Sequence, residues 1–156
     1  MKILHKPSDT LKTAVVKLMK NDDWEQVYQS DEFNFDWSKE RKWTVYKLTL
    51  EENTVIQGLI SIEDVPKEYR THIHLIENKI SNKGKSKVYD YLAGCLITHI
   101  CYLAFEKGFD GFVSLIPKTE IIGYYETKYG FRRAGMMWVS ATENSEQFKN
   151  ICNYGL

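Results

Sequence analysis

The sequence predicts an α/β (α+β) fold in which one mixed, mostly antiparallel sheet carries helices on both faces. Two alternating β-rich runs, residues 43–50 and 54–62, are joined by a short polar stretch, which is typical of an antiparallel hairpin. Downstream, a long apolar helical run separates the strand-like residues 72–77 from a second apolar run at 111–116. A chain of 156 residues, 43% of them hydrophobic, suits one domain spanning 1–156 with a substantial core.

Charge and cysteine content narrow the class of protein. The 21 basic and 21 acidic residues cancel, which argues against a general nucleic-acid binder, because such binding depends on an excess of Lys and Arg. The three cysteines, Cys95, Cys101 and Cys152, form no CxxC pair, so neither a disulfide framework nor a structural zinc site is expected. Residues 1–12 hold no apolar run of signal-peptide length, and no window approaches a membrane span. These features predict a cytoplasmic protein with no membrane partner.

The N-terminal region predicts a helix. Pro7, Ser8 and Asp9 form a plausible helix start, and the apolar residues that follow lie at helical spacing. These apolar residues are Leu11, Ala14, Val15, Leu18 and Met19. We therefore expect an amphipathic helix whose role is packing.

Residues 21–41 interleave acidic and aromatic side chains, and two interpretations stay open. The segment contains Asp22, Asp23, Glu25, Asp31, Glu32 and Asp36 among Trp24, Tyr28, Phe33, Phe35 and Trp37. In one interpretation these residues line a pocket for a cationic substrate, since aromatic faces and carboxylates both attract cations. In the other, they form a partly helical surface segment that is held to the core by its aromatic rings.

The middle of the chain predicts a strand, a crossover helix and a parallel strand. After a loop at 65–69, the strand at 72–77 is expected to pair with the hairpin. The helix at 95–107 is apolar over most of its circumference and is ended by Gly108, so it is expected to be buried. The strand at 111–116 should then lie parallel to its predecessor.

The C-terminal region predicts a second helix and a further strand. Thr119 is a suitable cap for a helix that carries Tyr125 and stops at Gly130. Residues 131–141 have strand character, and residues 143–152 form either a short helix or a loosely held tail.

Two motifs and the order of the elements carry a resemblance to a known family. The window between strand and helix is Val88, Tyr89, Asp90, Tyr91, Leu92 and Ala93, with Gly94 beside it. It is similar to the phosphate loop Gln/Arg-x-x-Gly-x-Gly/Ala of the GNAT acyltransferase superfamily, although Val88 and Tyr91 replace the first polar residue and the first glycine. The run from Tyr125 to Phe131 resembles the family's Tyr-Glu…Gly-Phe signature. The order of strands and helices over residues 43–141 also fits the GNAT core.

The resemblance implies an N-acetyltransferase that passes an acetyl group from acetyl-CoA to an amine by direct attack in a ternary complex. Tyr125 would donate the proton to the departing thiolate, with Tyr124 and Tyr129 as alternatives, and Glu77 would act as the base, directly or through water. The residues that the resemblance implies for acetyl-CoA are Leu75, Ile76, Lys87, Val88, Tyr89, Asp90, Tyr91, Leu92, Ala93 and Gly94.

Four lysines precede this loop, and they have two interpretations. Lys79, Lys83, Lys85 and Lys87 either reinforce a site for the phosphates of the cofactor or belong to a solvated loop. The neighbouring Gly84-Lys85-Ser86 imitates the end of a nucleotide P-loop, but Lys79 stands where that motif needs a glycine.

The partners follow from the same features. A small-molecule amine or a Lys-bearing peptide is the expected acceptor, and a homodimer stays open through residues 37–46 or the C-terminal tail. His72 and His74 share a strand face, but they lack a third ligand, so no metal is predicted. The alternative function is a catalytically degenerate CoA-binding or protein-interaction module of the same fold. A second alternative, an aminoacyl group on RNA as acceptor, is opposed by the neutral net charge.

Overall fold

A computed structural model describes residues 1–116, 128, 131–134 and 137–139. Within these residues, nine strands form one sheet in the order β6-β1-β2-β3-β4-β5-β7-β9-β8. The strands are β1 (Lys2–His5), β2 (Thr10–Leu18), β3 (Thr44–Leu50), β4 (Ile56–Val65), β5 (Arg70–Asn78), β6 (Tyr89–Asp90), β7 (Val113–Leu115), β8 (Arg132–Ala134) and β9 (Met137–Val139). The α-helices among these residues are α1 (Asn21–Gln29) and α2 (Leu92–Glu106), with short 3₁₀ helices at Trp37–Glu40, Pro66–Glu68 and Ile80–Asn82. None of the helices in the described ranges combines the length and the apolar character that a membrane span requires.

The sheet is mixed and mostly antiparallel, as the sequence predicts. The hairpin of β3 and β4 is present, and β5 pairs antiparallel with β4. The apolar helix α2 connects β5 to β7, and these two strands are parallel. The fold class and the crossover unit are therefore confirmed.

The prediction of an N-terminal helix is wrong, because this region forms a β-hairpin. Strands β1 and β2 pair antiparallel from Lys2 opposite Thr13 to His5 opposite Thr10. The turn between them uses Asp9 with a positive φ of 52°, a conformation that Asp tolerates better than most residues. β2 also pairs with β3 along its second half, so neighbours distant in the sequence override the helical spacing of its apolar residues.

Helices cover both faces of the sheet, as predicted. On one face, Leu96, Ile97 and Ile100 of α2 join a buried cluster that includes Ile60 and Ile62 of β4. On the other face, a second cluster joins Trp24 and Val27 of α1 to Trp37, Val45, Ile56 and Leu59. Alternate residues of β4 thus face opposite helices, as the pleat of a strand requires.

The C-terminal region differs in part from the prediction. Residues 131–141 do not form one strand, because β8 and β9 pair antiparallel with each other from Arg132 opposite Val139. β9 then pairs antiparallel with β7. The helix predicted after Thr119, including Tyr125, and the segment 143–152 lie outside the described residues.

Candidate functional site

Strand β5 is paired with β7 over only its first half. Pairing between them covers Thr71, His72 and Ile73, whereas β5 continues to Asn78 and stays paired with β4 throughout. The register between β4 and β5 changes at Ser61/Ile62 of β4. This change places one extra residue, His74, in β5, directly after the last residue of β5 that pairs with β7. The two strands therefore separate at a β-bulge. Within the described part of the chain, no strand pairs with the β7-facing edge of β5 beyond Ile73.

The predicted cofactor residues Leu75 and Ile76 lie in this separated half of β5. Leu75 packs against the cluster on the α1 face, and Ile76 packs against the cluster on the α2 face. The strand thus brings both residues to the edge that β7 does not cover.

The basic segment after β5 is anchored rather than fully solvated. Asn82 is 3% exposed, and its Nδ2 donates to the backbone oxygen of Gln57 at 3.2 Å and to the Gln57 side chain at 2.9 Å. Its Oδ1 accepts from the N–H of Tyr89 at 3.1 Å. The N–H of Ile80 donates to the carbonyl of Glu32 at 2.8 Å. These bonds fix the segment between the acidic aromatic residues and the predicted phosphate loop.

Most N–H groups in the first half of that loop already have partners inside the protein. Val88 donates to Ser81 at 2.9 Å, and its carbonyl accepts from Lys6 at 2.8 Å. The N–H of Tyr91 donates to the side chain of Asp90 at 2.8 Å. Hydrogen bonds of residues 88–91 therefore hold the loop in place. The N–H groups of Leu92, Ala93 and Gly94 belong to the first turn of α2, where a helix offers no backbone acceptor of its own.

Tyr91 has a backbone conformation that normally favours glycine. It forms the N-cap of α2 with φ 74° and ψ 9°, and its side chain makes no capping hydrogen bond. A left-handed conformation costs a residue with a side chain about 1–2 kcal/mol. The turn resembles what a glycine would adopt at this point of a phosphate loop, although the sequence places a tyrosine there.

Basic residues surround the acidic side chain of this loop. Burial acts to raise the pKa of Asp90, but the N–H of Tyr91 and the charges of Lys87 and Lys128 outweigh it and lower that pKa. Lys87 Nζ lies 3.4 Å from the Asp90 carboxylate. Sequence reasoning did not single out Lys128, because its proximity to Asp90 depends on the folded chain. Of the other predicted lysines, Lys83 binds Glu77, Lys79 borders a cavity of ≈ 290 Å³, and Lys85 is exposed.

Glu77, the predicted base, is 4% exposed and accepts four hydrogen bonds. Its Oε2 accepts from the N–H of Asn34 and from Lys83 Nζ, both at 2.7 Å. Its Oε1 accepts from the N–H of Phe35 at 3.2 Å and from Trp37 Nε1 at 2.9 Å. Burial acts to raise the pKa of Glu77, but these donors outweigh it and lower that pKa. Taking a proton from a substrate would require the release of at least one donor.

The acidic aromatic segment is partly helical and borders a cavity. α1 occupies its first part, and a cavity of ≈ 320 Å³ lies beside it. Side chains that attract cations line this cavity: Tyr28, Asp31, Phe35, Asp36 and Trp37. The pKa of Asp36 is lowered chiefly by its hydrogen bond with the Ser38 side chain, so its carboxylate is charged at neutral pH. The two interpretations of this segment are thus compatible.

A row of polar and aromatic side chains crosses the sheet at the bulge. His74 Nε2 lies 2.8 Å from Glu63 Oε2, and the ring of His74 stacks on Trp43 with centroids 4.1 Å apart. His72 Nδ1 lies 2.8 Å from Ser114 Oγ. Sequence reasoning considered the two histidines only as metal ligands and missed their partners, since cross-strand register was needed to find them. Among the described residues, no group of three or more metal-ligating side chains occurs.

The comparisons with known proteins identify the fold. No protein-family model and no curated protein matches the sequence. Solved structures do match. The ribosomal-protein-S18-alanine N-acetyltransferase from Escherichia coli has a TM-score of 0.58 and 12% identity, covering 81% of this chain and 92% of that one. Nourseothricin acetyltransferase has a TM-score of 0.57 and 12% identity, covering 79% and 85%. A mutant of the toxin AtaT, bound to the C-terminus of the antitoxin AtaR and acetyl-CoA, has a TM-score of 0.58 and 11% identity, covering 88% and 98%.

These similarities extend over most of each chain, although the sequence identities are only 11–12%. In this chain, α2 connects the strands β5 and β7, which is the strand, helix and strand order that the resemblance implied. The chain therefore has the fold of the GNAT acetyltransferases.

Proposed function

We propose that residues 1–156 act as one acetyl-CoA-dependent N-acetyltransferase that transfers an acetyl group to an amine by direct attack in a ternary complex. The observation that carries the proposal is the glycine-like turn at Tyr91, which opens α2 after the strand that separates from β7. A turn of this kind presents the first N–H groups of a helix to an anion. The acetyl-CoA bound to AtaT, a protein of the same fold, supports the choice of ligand.

The phosphates of acetyl-CoA would bind at the N-terminus of α2. The N–H groups of Leu92, Ala93 and Gly94 can donate there, and the helix dipole favours negative charge. Lys87 and Lys128, whose charges both act on Asp90, would add positive potential at the same place.

The pantetheine arm would lie along the separated half of β5. That arm contains two amide groups, and the β7-facing edge of a strand offers backbone N–H and C=O groups at regular spacing. Leu75 and Ile76 would contact its apolar parts, because they pack on either side of this edge.

Acyl transfer needs a neutral amine and a proton donor for the thiolate. Tyr125 is the proposed donor, with Tyr124 and Tyr129 as alternatives. Glu77 is the base that the resemblance implied, but its four hydrogen bonds favour a positioning role.

The acceptor would enter through the cavity beside α1. Asp31 and Asp36 supply negative charge there, and Tyr28, Phe35 and Trp37 supply aromatic surface. These features suit a small amine or a lysine-bearing peptide.

The test of the proposed function is calorimetric titration with acetyl-CoA, with CoA and ATP as comparisons, on the wild-type protein and two variants of Ala93. Ala93→Glu introduces a negative charge in the first turn of α2, where it stabilises the helix but repels phosphate. Ala93→Gln has nearly the same size and no charge. Ala93 is partly exposed, so both variants are expected to fold.

We expect micromolar binding of acetyl-CoA by the wild-type protein and by Ala93→Gln, and a loss of affinity of about tenfold or more in Ala93→Glu. Equal binding by all three proteins would place the phosphates elsewhere. If the wild-type protein binds none of the three nucleotides, the enzyme is excluded and the interaction module of the same fold becomes the better explanation.

A further inference from the structure

His72 and His74 share one face of the sheet, and the β-bulge in β5 adds Leu75 to that face. In a regular strand, His74 and Leu75 would point to opposite faces. The His74 ring contacts His72, with centroids 4.9 Å apart, on the face opposite to Ile73. The extra residue places Leu75 on this α1 face as well. Bulges commonly redirect a side chain beside an active site. Here the redirected side chain is that of Leu75, and it lies beside His74 where β5 and β7 separate.

His74 is held by its neighbours in a defined orientation. Its Nε2 donates to Glu63 Oε2 at 2.8 Å, and its ring lies nearly parallel to Trp43, with an interplanar angle of 10°. The ring is therefore fixed by one hydrogen bond and one stacking contact. A histidine whose Nε2–H binds a carboxylate has a lone pair on Nδ1. Among the described residues, no hydrogen bond to that Nδ1 is found.

His72 differs from His74 in that its Nδ1 has polar partners within the protein. Its Nδ1 lies 2.8 Å from Ser114 Oγ and 3.2 Å from Arg70 Nη1. Burial, followed by the charges of His74 and Arg70, lowers the pKa of His72 to about 4. His72 is thus neutral, and its Nδ1 already has polar partners. The His74 side chain is 26% exposed, and its Nδ1 is within reach of a ligand.

The surroundings of His74 connect the two halves of the proposed site. On one side are Leu75 and Ile76, which the proposed function assigns to the cofactor. On the other, the 3₁₀ helix Trp37–Glu40 is tied to β4 by the hydrogen bond from Ser61 Oγ to Glu40 at 2.6 Å. Ser61 pairs with Leu75, so the acceptor-side segment is attached beside His74.

We propose that His74 is the general base for the acceptor amine and that Glu63 is the residue that positions it, an assignment that rests on the proposed N-acetyltransferase function. His74 Nδ1 takes one proton from the incoming ammonium group. The neutral nitrogen then attacks the thioester carbonyl, a C–N bond forms and the C–S bond breaks. The second proton passes to the departing thiolate, and His74 returns its proton to solvent. The net change is ammonium and acetyl-CoA to acetamide, CoA thiol and one proton.

Two variants distinguish the role of the basic nitrogen of His74 from the packing of its side chain. His74→Gln keeps a donor for Glu63, and His74→Phe keeps a ring against Trp43, but neither has a basic nitrogen. Activity is measured as thiol release from acetyl-CoA with 1,4-diaminobutane and with short lysine peptides. Binding of acetyl-CoA is measured by calorimetry on the same proteins. We expect kcat/KM for the amine to fall about 100-fold or more in both variants, with the affinity for acetyl-CoA unchanged.

Two variants of Glu63 test the positioning role through the split between kcat and KM. Glu63→Ala removes the oxygen that accepts from His74 Nε2–H, whereas Glu63→Gln keeps an oxygen acceptor there. We expect kcat for the amine to fall about tenfold or more in Glu63→Ala and to be partly restored in Glu63→Gln, with KM for the amine and the affinity for acetyl-CoA unchanged in both. Glu52→Gln, in the exposed turn between β3 and β4, is the control and should leave all three quantities unchanged.

The outcomes distinguish this inference from the proposed function. If the wild-type protein acetylates an amine and either His74 variant does so equally fast, His74 is not the base, although the transferase function stands. An unchanged kcat in Glu63→Ala removes the positioning role of Glu63. If the wild-type protein fails to bind acetyl-CoA, or binds it and acetylates no amine, the reaction itself is excluded and the base with it.

Discussion

Replacing Glu77 by Gln should destabilise the protein more than any exposed carboxylate replacement. The carboxylate accepts from Asn34, Phe35, Trp37 and Lys83, with two donors on each oxygen. A glutamine in the same position has one oxygen and one NH₂ group. Two of the four donors would then face another donor, whichever way the amide is turned.

The cost follows from the burial of these groups. Glu77 is 4% exposed, so donors that lose their acceptor cannot turn to water. Each such donor costs about 1–3 kcal/mol, which gives about 2–6 kcal/mol for the pair. Lys83 adds little, because its side chain is 35% exposed and water screens its charge. The expected loss is a large part of the stability of an ordinary domain, about 5–15 kcal/mol.

Urea denaturation followed by tryptophan fluorescence measures this loss directly, because Trp37 donates to Glu77. In thermal unfolding, the melting temperature of Glu77→Gln should be lower than that of the wild-type protein by roughly 5–15 °C. Glu52→Gln, which changes an exposed residue, should stay within about 0.5 kcal/mol of the wild type. A Glu77→Gln variant as stable as that control would refute the claim that the carboxylate anchors this segment.

The lowered pKa of Glu77 also predicts a pH dependence. The group is ionised more readily in the folded state than in the unfolded state, so its contribution is complete above the ordinary carboxyl pKa. The contribution is lost as pH falls through the folded value. Acid unfolding of the wild-type protein should therefore be steeper than that of Glu77→Gln, and parallel curves would contradict this.

Two further predictions concern stability. Gly111→Ala should destabilise the protein by about 2–4 kcal/mol, because its added Cβ would clash with the Phe105 ring. Gly84→Ala is the control, since Gly84 shares the φ of 74° but has no atom within 4 Å of an added Cβ, and it should cost only about 1 kcal/mol. Urea denaturation measures both losses, and equal losses would refute the clash. The pKa values of His72 and His99 are both about 4, mainly through burial, so the unfolded chain binds more protons and the melting temperature should fall between pH 6.5 and pH 4. His72→Gln combined with His99→Gln should flatten that slope, and a wild-type melting temperature independent of pH in this window would contradict it.

The sequence predicted the parts of the fold whose apolar pattern matches a single period. The β3–β4 hairpin, β5, α2 and β7 all follow from local pattern and turn residues. The N-terminal helix failed because Leu11, Ala14, Val15 and Leu18 fit a helical spacing, whereas pairing with β1 and β3 determines their structure. Residues 131–141 were expected to form one strand, but β8 and β9 pair with each other.

The site was predictable in position but not in the use of its groups. The sequence predicts a phosphate loop from Val88 to Gly94 at the start of a helix, and α2 does begin there, at Leu92. The backbone groups of Val88 and Tyr89 form hydrogen bonds with Ser81, Lys6 and Asn82, and only the folded chain brings these residues together. Glu77 was predicted as a base for its place at a strand end, yet three of its partners lie more than 30 residues away in the sequence.

The segment between β5 and the phosphate loop is the structural link between the two sides of the proposed site. Its residue Lys83 and the acidic aromatic segment share the carboxylate of Glu77. A second connection runs from Glu32, whose carbonyl accepts from Ile80, through the 3₁₀ helix to Asn82, and from Asn82 to the N–H of Tyr89. Two residues after Tyr89, Tyr91 sets the start of α2. Because these contacts are continuous, a change that loosens Glu77 should alter both the acceptor cavity and the loop that is proposed to hold acetyl-CoA. Loss of affinity for acetyl-CoA in Glu77→Gln, although Glu77 is assigned no contact with the phosphates, would be the expected sign of that coupling.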